Sequence, residues 1–121
     1  KGFVYTFDET KDIAWLYLVS DMLITDYSSV MFDYSILNRP MLFFAYDLED
    51  YKENLRGFYF DFVNDIPGPI SRDTDQLIKD IKEYNEDSWK EKYKNYHDKF
   101  NGIDDGHASQ KVIDVIKKVS R

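Results

Sequence analysis

Short apolar runs alternate with stretches of helical periodicity through the first 45 residues. The runs at 3–7, 22–25 and Met41–Phe44 have the length and bulk of β-strands, and the last two suit strands buried in a parallel sheet. The spacing of apolar residues between the runs predicts one helix after each of the first two strands. Because β-α-β-α-β is the pattern of an open sheet, the sequence predicts an α/β fold, a Rossmann-like open parallel sheet with helices on both faces.

The two connecting helices have start and stop signals of their own. Polar residues 8–10 supply a cap and an acidic first turn for a helix over about 12–19. Apolar residues at helical spacing predict the second helix over about 30–37. We expect it to end there because Asn38 tolerates the left-handed conformation of a helix end and Pro40 cannot continue a helix.

The second half of the chain predicts loops and helices. Polar residues over 45–57 indicate a long loop or a short helix with a loop, the alternation over 58–62 indicates a short edge strand, and 67–69 (Pro-Gly-Pro) indicates a rigid turn. Three amphipathic helices follow: one capped at 73–75 and carrying Leu77, Ile78 and Ile81, one carrying Trp89, Tyr93, Tyr96 and Phe100, and one over about Ala108–Val119. We see no repeat, so residues 1–121 are predicted to form one domain.

Composition and charge exclude several classes of protein. A net charge of −7 argues against a nucleic-acid surface and against direct contact with anionic lipid. Without cysteine, and with only His97 and His107, the chain offers neither a disulfide framework nor a usual zinc site, so we assign no metal and no cofactor. No apolar run approaches the ~20 residues of a membrane span. Since the chain begins at Lys1, we expect a processed or excised piece.

The richest candidate chemistry lies between the second predicted strand and its helix, at Thr25, Asp26, Ser28 and Ser29. A helix begins with unpaired backbone N–H groups and the positive end of its dipole, which suit a phosphate. Open α/β sheets also bind ligands at the carboxyl ends of their strands, where this turn is predicted to lie. In the plainer alternative, Asp26, Ser28 or Ser29 only caps the helix.

Two further segments offer groups for an anionic ligand. Arg56 has the planar fork that suits phosphate oxygens, and Gly57 permits close backbone approach; the alternative is an exposed arginine paired with a nearby acid. Asp105, Gly106 and Ser109 open the last predicted helix and could present a second group of N–H donors, although such a sequence is more commonly a turn with a cap. His107 has no nucleophile or paired acid placed to use it, so we interpret it as structural.

Several of these stretches, in this order, resemble one family. The matching stretches are 20–29 (SDMLITDYSS), 32–33 (FD), 39–40 (RP), 56–61 (RGFYFD), 67–69 (PGP) and 105–109 (DGHAS). They resemble the C-terminal part of the CDP-glycerol glycerophosphotransferases, the teichoic acid primases and polymerases of Gram-positive bacteria. The likeness runs from about Trp15 to Ile116, nearly the whole chain.

The resemblance implies a fold and a reaction. It implies the C-terminal, donor-binding half of a two-domain GT-B glycosyltransferase fold, whose parent enzyme transfers glycerol phosphate from CDP-glycerol to a teichoic acid chain on a lipid carrier. The parent is expected to be cytoplasmic, peripheral on the inner face of the cell membrane. The acceptor hydroxyl would attack the donor's β-phosphorus with inversion, and CMP would leave. Electrostatic stabilisation of that leaving group needs neither a cofactor nor, of necessity, a metal.

The resemblance also distributes roles among the residues. It assigns Thr25, Asp26, Ser28 and Ser29, then Arg56 and Gly57, then Asp105, Gly106 and Ser109 to the donor's pyrophosphate, ribose or glycerol. It assigns no catalytic residue, because the family's histidines lie in the N-terminal domain and just upstream of the stretch seen here. Since the acceptor domain is missing, we expect this fragment alone to be inactive and to make no membrane contact of its own.

Two alternatives remain at this point. A GT-B donor domain for another activated substrate, such as a UDP-sugar or CDP-ribitol, would share most of these features. A receiver-like signalling module would use Asp26 as a phosphoacceptor at the end of a strand. The second alternative lacks the acidic pair after the first strand and the lysine after a late strand that such modules need.

Overall fold

The computed structural model describes residues 2–8, 10–50 and 60–120. The helices in these parts are α1 (Ile13–Val19), α2 (Val30–Ser35), α3 (Phe62–Asp65), α4 (Thr74–Glu83), α5 (Glu86–Phe100) and α6 (Ala108–Val119). The strands are β1 (Leu23–Thr25), β2 (Met41–Phe44) and β3 (Ile70–Ser71). Among the described residues, no helix is both long and apolar enough to cross a bilayer.

The strands form one parallel sheet in the order β1-β2-β3. Thr25 is in register with Phe43, and Phe44 with Ser71, so the carboxyl ends of all three strands lie at the same edge. This confirms the predicted α/β class with a Rossmann-like parallel sheet. Helix α2 makes the crossover from β1 to β2 and packs on β1, while α4 packs on β2 and β3.

Aromatic side chains fill the core between the sheet and the helices. Tyr34, Phe43 and Phe62 are fully or almost fully buried, and the ring of Phe43 meets that of Phe62 edge-on at a centroid distance of 5.6 Å. On the α5 side, Phe32 of α2 packs against Tyr96 and against Phe60 and Phe100 at 5.0–6.0 Å. The stripe predicted along the fifth helix is therefore a packed face.

Most helix boundaries follow their local signals. Asp12 caps α1 by accepting the backbone N–H of Ala14 at 2.9 Å, and Asp73 caps α4 by accepting that of Gln76 at 2.8 Å. Asn38 has a φ of 52°, which confirms the left-handed conformation predicted beyond α2. The predicted bounds of α1 are confirmed, but its predicted cap at 8–10 is wrong: Asp8 accepts hydrogen bonds from Thr10, and Asp12 caps the helix.

Two predicted strands are absent from the described residues. Residues 2–8 form no strand, and Phe3 is 96% exposed; an apolar, β-branched run becomes a strand only beside a partner, and none of the described strands pairs with it. Of the strand predicted over 58–62, residues 58 and 59 lie outside the described parts. Asp61 is instead the N-cap of α3, with its carboxylate 3.2 Å from the N–H of Asn64, so the alternation at this point belongs to a helix start.

The stretch 45–57, predicted as a long loop or a short helix with a loop, is described only to residue 50. Residues 48–50 are helical, in agreement with the second alternative. The last helix has its predicted bounds, but every residue of α6 is exposed, including the apolar side chains Val112 and Ile116. Helix α1 likewise exposes Trp15 and Val19. Both helices therefore present apolar faces that the described part of the chain does not cover.

Candidate functional site

The turn between β1 and α2 lies where the sequence predicts it. Thr25 is the last residue of β1, and Ser29 is the N-cap residue of α2. The carboxylate of Asp26 accepts the backbone N–H of Ser28 at 2.9 Å, which closes a tight local turn. Asp26 and Ser29 are exposed and Ser28 is half-buried, so the turn is open to solvent at the carboxyl edge of the sheet.

Side chains cap α2 weakly. Ser29 has helical angles (φ −60°, ψ −13°) and makes no side-chain cap bond, and Ser28 Oγ is 3.5 Å from the N–H of Val30, at the limit of a hydrogen bond. The N–H of Ser29 has no acceptor among the described residues. Side-chain capping of α2 therefore leaves the backbone N–H groups of Ser29 and Val30 available to an acceptor on a ligand.

Tyr27 links this turn to the neighbouring loop. Its hydroxyl donates to Asp47 Oδ1 at 2.8 Å, and its ring packs on the buried Phe62 at a centroid distance of 5.5 Å. Burial, together with the bond to the Asp47 carboxylate, raises the pKa of Tyr27 well above its ordinary value, so the hydroxyl stays protonated. The sequence analysis missed this pair; the one available signal was a large aromatic residue inside an otherwise polar turn.

The predicted residues Arg56 and Gly57 lie outside the described parts of the chain.

The segment that opens α6 is organised internally. Asp105 Oδ2 is 2.9 Å from Lys111 Nζ, and Asp105 Oδ1 accepts the N–H of His107 at 3.0 Å. The Lys111 ammonium and that N–H hold the pKa of the Asp105 carboxyl below its ordinary value. Gly106 has a φ of 79°, a left-handed turn conformation, and Ser109 is exposed in the first turn of α6. Among the described residues, no hydrogen bond or ion pair joins Asp105, Gly106 or Ser109 to the 25–29 turn.

A well-formed groove in the described structure lies elsewhere. Its volume is about 730 Å³, and its lining includes Arg39, Pro40, Tyr84 and Trp89. Residues 39 and 40 precede β2, so the groove is at the amino ends of the strands, opposite the 25–29 turn. No residue predicted for the site lines it. Within the described ranges there is also no cluster of three or more metal-ligating side chains.

Comparison with known proteins identifies the family. The family model described as CDP-Glycerol:Poly(glycerophosphate) glycerophosphotransferase matches residues 1–118. The chain belongs to this family. Family membership confirms the resemblance seen in the sequence, and it places the turn at 25–29 and the segment at 105–109 inside the matched region.

Individual relatives show the same likeness. The teichoic acid poly(glycerol phosphate) polymerase of Bacillus subtilis (strain 168) is 46% identical over 120 residues, which cover 98% of this chain and 16% of the relative. The teichoic acid poly(ribitol-phosphate) polymerase of Bacillus spizizenii is 45% identical over 124 residues, covering 94% of this chain and 18% of the relative.

A solved structure of the wall teichoic acid polymerase TagF superposes with a TM-score of 0.78 at 46% identity, over 91% of this chain and 28% of that one. A variant of TagF soaked with CDPG superposes with a TM-score of 0.76 at 45% identity, over 91% of this chain and 27% of that one. The chain thus spans less than a third of the length of these relatives.

Proposed function

We propose that this chain is the donor-binding domain of a CDP-glycerol glycerophosphotransferase. The observation that carries the proposal is the open turn at the carboxyl edge of the sheet, where the amides of Ser29 and Val30 begin α2 with little or no capping. Family membership supplies the donor: TagF, to which the chain is similar, has been soaked with CDPG, which we take to be CDP-glycerol. N–H groups without a strong partner at a helix start suit the oxygens of a diphosphate.

The polar groups of the 25–29 turn differ in charge, and this difference decides which part of the donor each can bind. We assign the donor's pyrophosphate to the N–H groups of Ser29 and Val30 and to the hydroxyls of Thr25 and Ser28. Asp26 is an acceptor only, so it suits a hydroxyl of the ribose or glycerol rather than a phosphate oxygen. Arg56 and Gly57 would add a cationic fork and close backbone approach to the same anion.

The segment Asp105, Gly106 and Ser109 is assigned to the donor as well. In the described structure Asp105 is paired with Lys111, and the segment is attached to α2 through Asn101 rather than through the turn. We therefore propose that this segment contacts the nucleoside or glycerol end of the donor, and that the turn holds its phosphates.

The reaction proposed for the parent enzyme is inverting displacement at phosphorus. The acceptor hydroxyl attacks the donor's β-phosphorus, the bond from that phosphorus to the oxygen of CMP breaks, and a base outside this chain takes the acceptor's proton. The groups described here would stabilise the negative charge that builds up on the departing CMP, which is electrostatic catalysis. Positioning and charge stabilisation account for most of the catalysis of phosphoryl transfer.

The partners follow from the same proposal. The parent would supply an N-terminal acceptor domain, and the apolar faces of α1 and α6 support an interface with it: Trp15 is 66% and Val119 78% exposed. The teichoic acid acceptor would reach this chain only in the full-length enzyme, on the cytoplasmic face of the membrane. No nucleic-acid partner is proposed.

A second candidate function is the same role with CDP-ribitol as donor. It is favoured by the similarity to a poly(ribitol-phosphate) polymerase, whose identity to this chain is nearly that of the glycerol enzyme. The two donors share the cytidine and the diphosphate, so the turn would serve both. The receiver-like alternative gains no support from the family to which the chain belongs.

A ligand panel tests the proposal. The 121-residue chain is titrated calorimetrically with CDP-glycerol, CDP-ribitol, CMP, UDP-GlcNAc and ADP. We expect CDP-glycerol to bind best and CMP to bind more weakly, because CMP lacks the second phosphate. Binding of UDP-GlcNAc alone would overturn the donor assignment. A stable acyl phosphate on Asp26 after treatment with a small phosphodonor would instead establish the receiver function.

A further inference from the structure

In the described part of the chain, a hydrogen bond between the side chains of Tyr27 and Asp47 joins the 25–29 turn to the loop after β2. Tyr27 Oη donates to Asp47 Oδ1 at 2.8 Å across a part-buried contact between residues 20 positions apart. Asp47 follows the end of β2 by three residues, and Tyr27 follows the end of β1 by two. The contact therefore bridges the two loops that leave neighbouring strands at the carboxyl edge.

Among the described residues, the hydrogen bonds of Asp26, Ser28 and Ser29 are local. Asp26 holds the N–H of Ser28, and the N–H of Met31 and Phe32 bond back to the carbonyls of Ser28 and Ser29 at 3.3 and 3.0 Å. These bonds shape the turn, and β1 and α2 hold its two ends. Tyr27 additionally ties the middle of the turn to the core and to the loop after β2, because its ring rests on Phe62, which is 2% exposed, and its hydroxyl is held by Asp47.

We propose that Tyr27 and Asp47 are positioning residues of the donor site: their hydrogen bond holds the amides of Ser29 and Val30 where the donor's diphosphate binds. This inference rests on the proposed function. Neither residue needs to touch the donor. The pair keeps the turn in its binding geometry before the donor arrives. Less conformational entropy of the turn is then lost when the donor binds.

A neutral hydroxyl is the appropriate group for this contact. It binds the Asp47 carboxylate without adding charge beside the turn proposed to hold an anion. The half-buried ring packs on Phe62 and gives the hydroxyl a fixed origin, whereas a lysine or arginine would reach Asp47 from a flexible stem. A phenylalanine at position 27 would keep the ring and lose only the bond, which makes Tyr27→Phe the informative variant.

The test measures donor affinity, stability and turn dynamics in the 121-residue chain. Tyr27→Phe and Asp47→Ala are each expected to weaken CDP-glycerol binding by about fivefold to tenfold, because each variant loses one hydrogen bond that holds the turn in place before the donor binds. The double variant should bind no more weakly than either single variant, because both changes remove the same bond.

Asp47→Asn, which keeps an acceptor oxygen, should recover most of the affinity. In the ligand-free chain, the amides of Ser28 and Ser29 should exchange with solvent faster in Tyr27→Phe.

Tyr34→Phe is the matched control. Tyr34 donates to the carbonyl of Ser20 at 2.9 Å, at the amino end of β1, so this variant loses a bond of similar length away from the turn. Its CDP-glycerol affinity should equal that of the wild type even if its thermal midpoint falls. If Tyr27→Phe and Asp47→Ala bind CDP-glycerol as tightly as the wild type, the positioning role is wrong and the proposed function stands. If the wild type fails to bind CDP-glycerol at all, the proposed function fails and the positioning role fails with it.

Discussion

The side chains of Ser35 and Asn101, 66 residues apart in sequence, meet in the core. The Ser35 hydroxyl lies within hydrogen-bonding distance of both Asn101 Oδ1 and the carbonyl of Phe32, and Asn101 Nδ2 donates to that same carbonyl at 3.1 Å and to Asp104. Ser35 is fully buried and Asn101 is 4% exposed. The pair therefore fastens the end of α5, and the turn that follows it, to α2.

This relationship predicts a stability effect for Asn101→Ala. The change removes the partners of buried polar groups, and each buried group left without one costs about 1–3 kcal/mol. We expect the free energy of unfolding, measured with urea, to fall by about 2 kcal/mol. Asn95→Ala, an exposed asparagine on the same helix, should change it by less than about 0.5 kcal/mol. Equal effects of the two changes would contradict the buried role of Asn101.

Gly68 permits the close approach of the chain to β2. A Cβ on this residue would lie 1.8 Å from the carbonyl oxygen of Met41, a backbone atom of β2 that cannot move without distorting the sheet. We expect Gly68→Ala to lower the free energy of unfolding by more than about 2 kcal/mol. A Cβ on Gly106 would have no atom within 4 Å, so the only penalty for Gly106→Ala is the left-handed φ of 79°. We expect this change to lower the free energy of unfolding by about 1 kcal/mol. The reverse order of the two costs would show that Gly68 is not in close contact with β2.

The hydroxyl of Tyr96 is buried and has no hydrogen-bond partner among the described residues. Its ring is well packed, with a centroid distance of 4.7 Å to Phe100. Tyr96→Phe should therefore stabilise the chain, by up to about 1 kcal/mol, because it removes an unpaired buried group and keeps the ring. Tyr34→Phe, which loses a bond to Ser20, should instead destabilise it by about 1 kcal/mol. A loss of thermal stability in Tyr96→Phe would mean that this hydroxyl has an acceptor.

Local signals in the sequence predicted much of this fold. The cap residue Asp73, the left-handed Asn38 and the apolar run at Met41–Phe44 each act through neighbours a few residues away, and each lies where it was expected. The strand predicted over 3–7 failed because a strand depends on a partner that its own residues do not specify.

The position of the turn that carries the candidate site was predictable for the same reason. The turn at Thr25–Ser29 follows from a strand, a short polar stretch and a helix in succession, so the sequence placed it correctly. The bonds from Tyr27 to Asp47 and from Ser35 to Asn101 join residues 20 and 66 positions apart, and no periodicity reports such pairs. The sequence also could not predict that α2 is weakly capped, because serine is a preferred N-cap residue whether or not its side chain forms a hydrogen bond.

Arg56 provides a prediction that depends on the family resemblance rather than on a described contact. Arg56→Ala should weaken CDP-glycerol binding by about 1–3 kcal/mol, the range for a hydrogen bond to a charged group, with little change in thermal midpoint. The matched control is Arg72→Ala, since Arg72 pairs with Glu49 at an exposed position. Arg72→Ala should leave the affinity unchanged. Unchanged affinity in Arg56→Ala as well would remove Arg56 from the site.

The most direct test of the account separates the amide of Ser29 from its hydroxyl. The φ of −60° at Ser29 suits proline, so Ser29→Pro removes the unpartnered N–H at little conformational cost, while Ser29→Ala keeps that N–H and removes a hydroxyl that makes no cap bond. In calorimetric titrations with CDP-glycerol, we predict that Ser29→Pro binds at least about tenfold more weakly than the wild type, with its thermal midpoint retained, and that Ser29→Ala binds within about threefold of it. Wild-type affinity in a folded Ser29→Pro variant would contradict the claim that the amides at the start of α2 hold the donor's diphosphate.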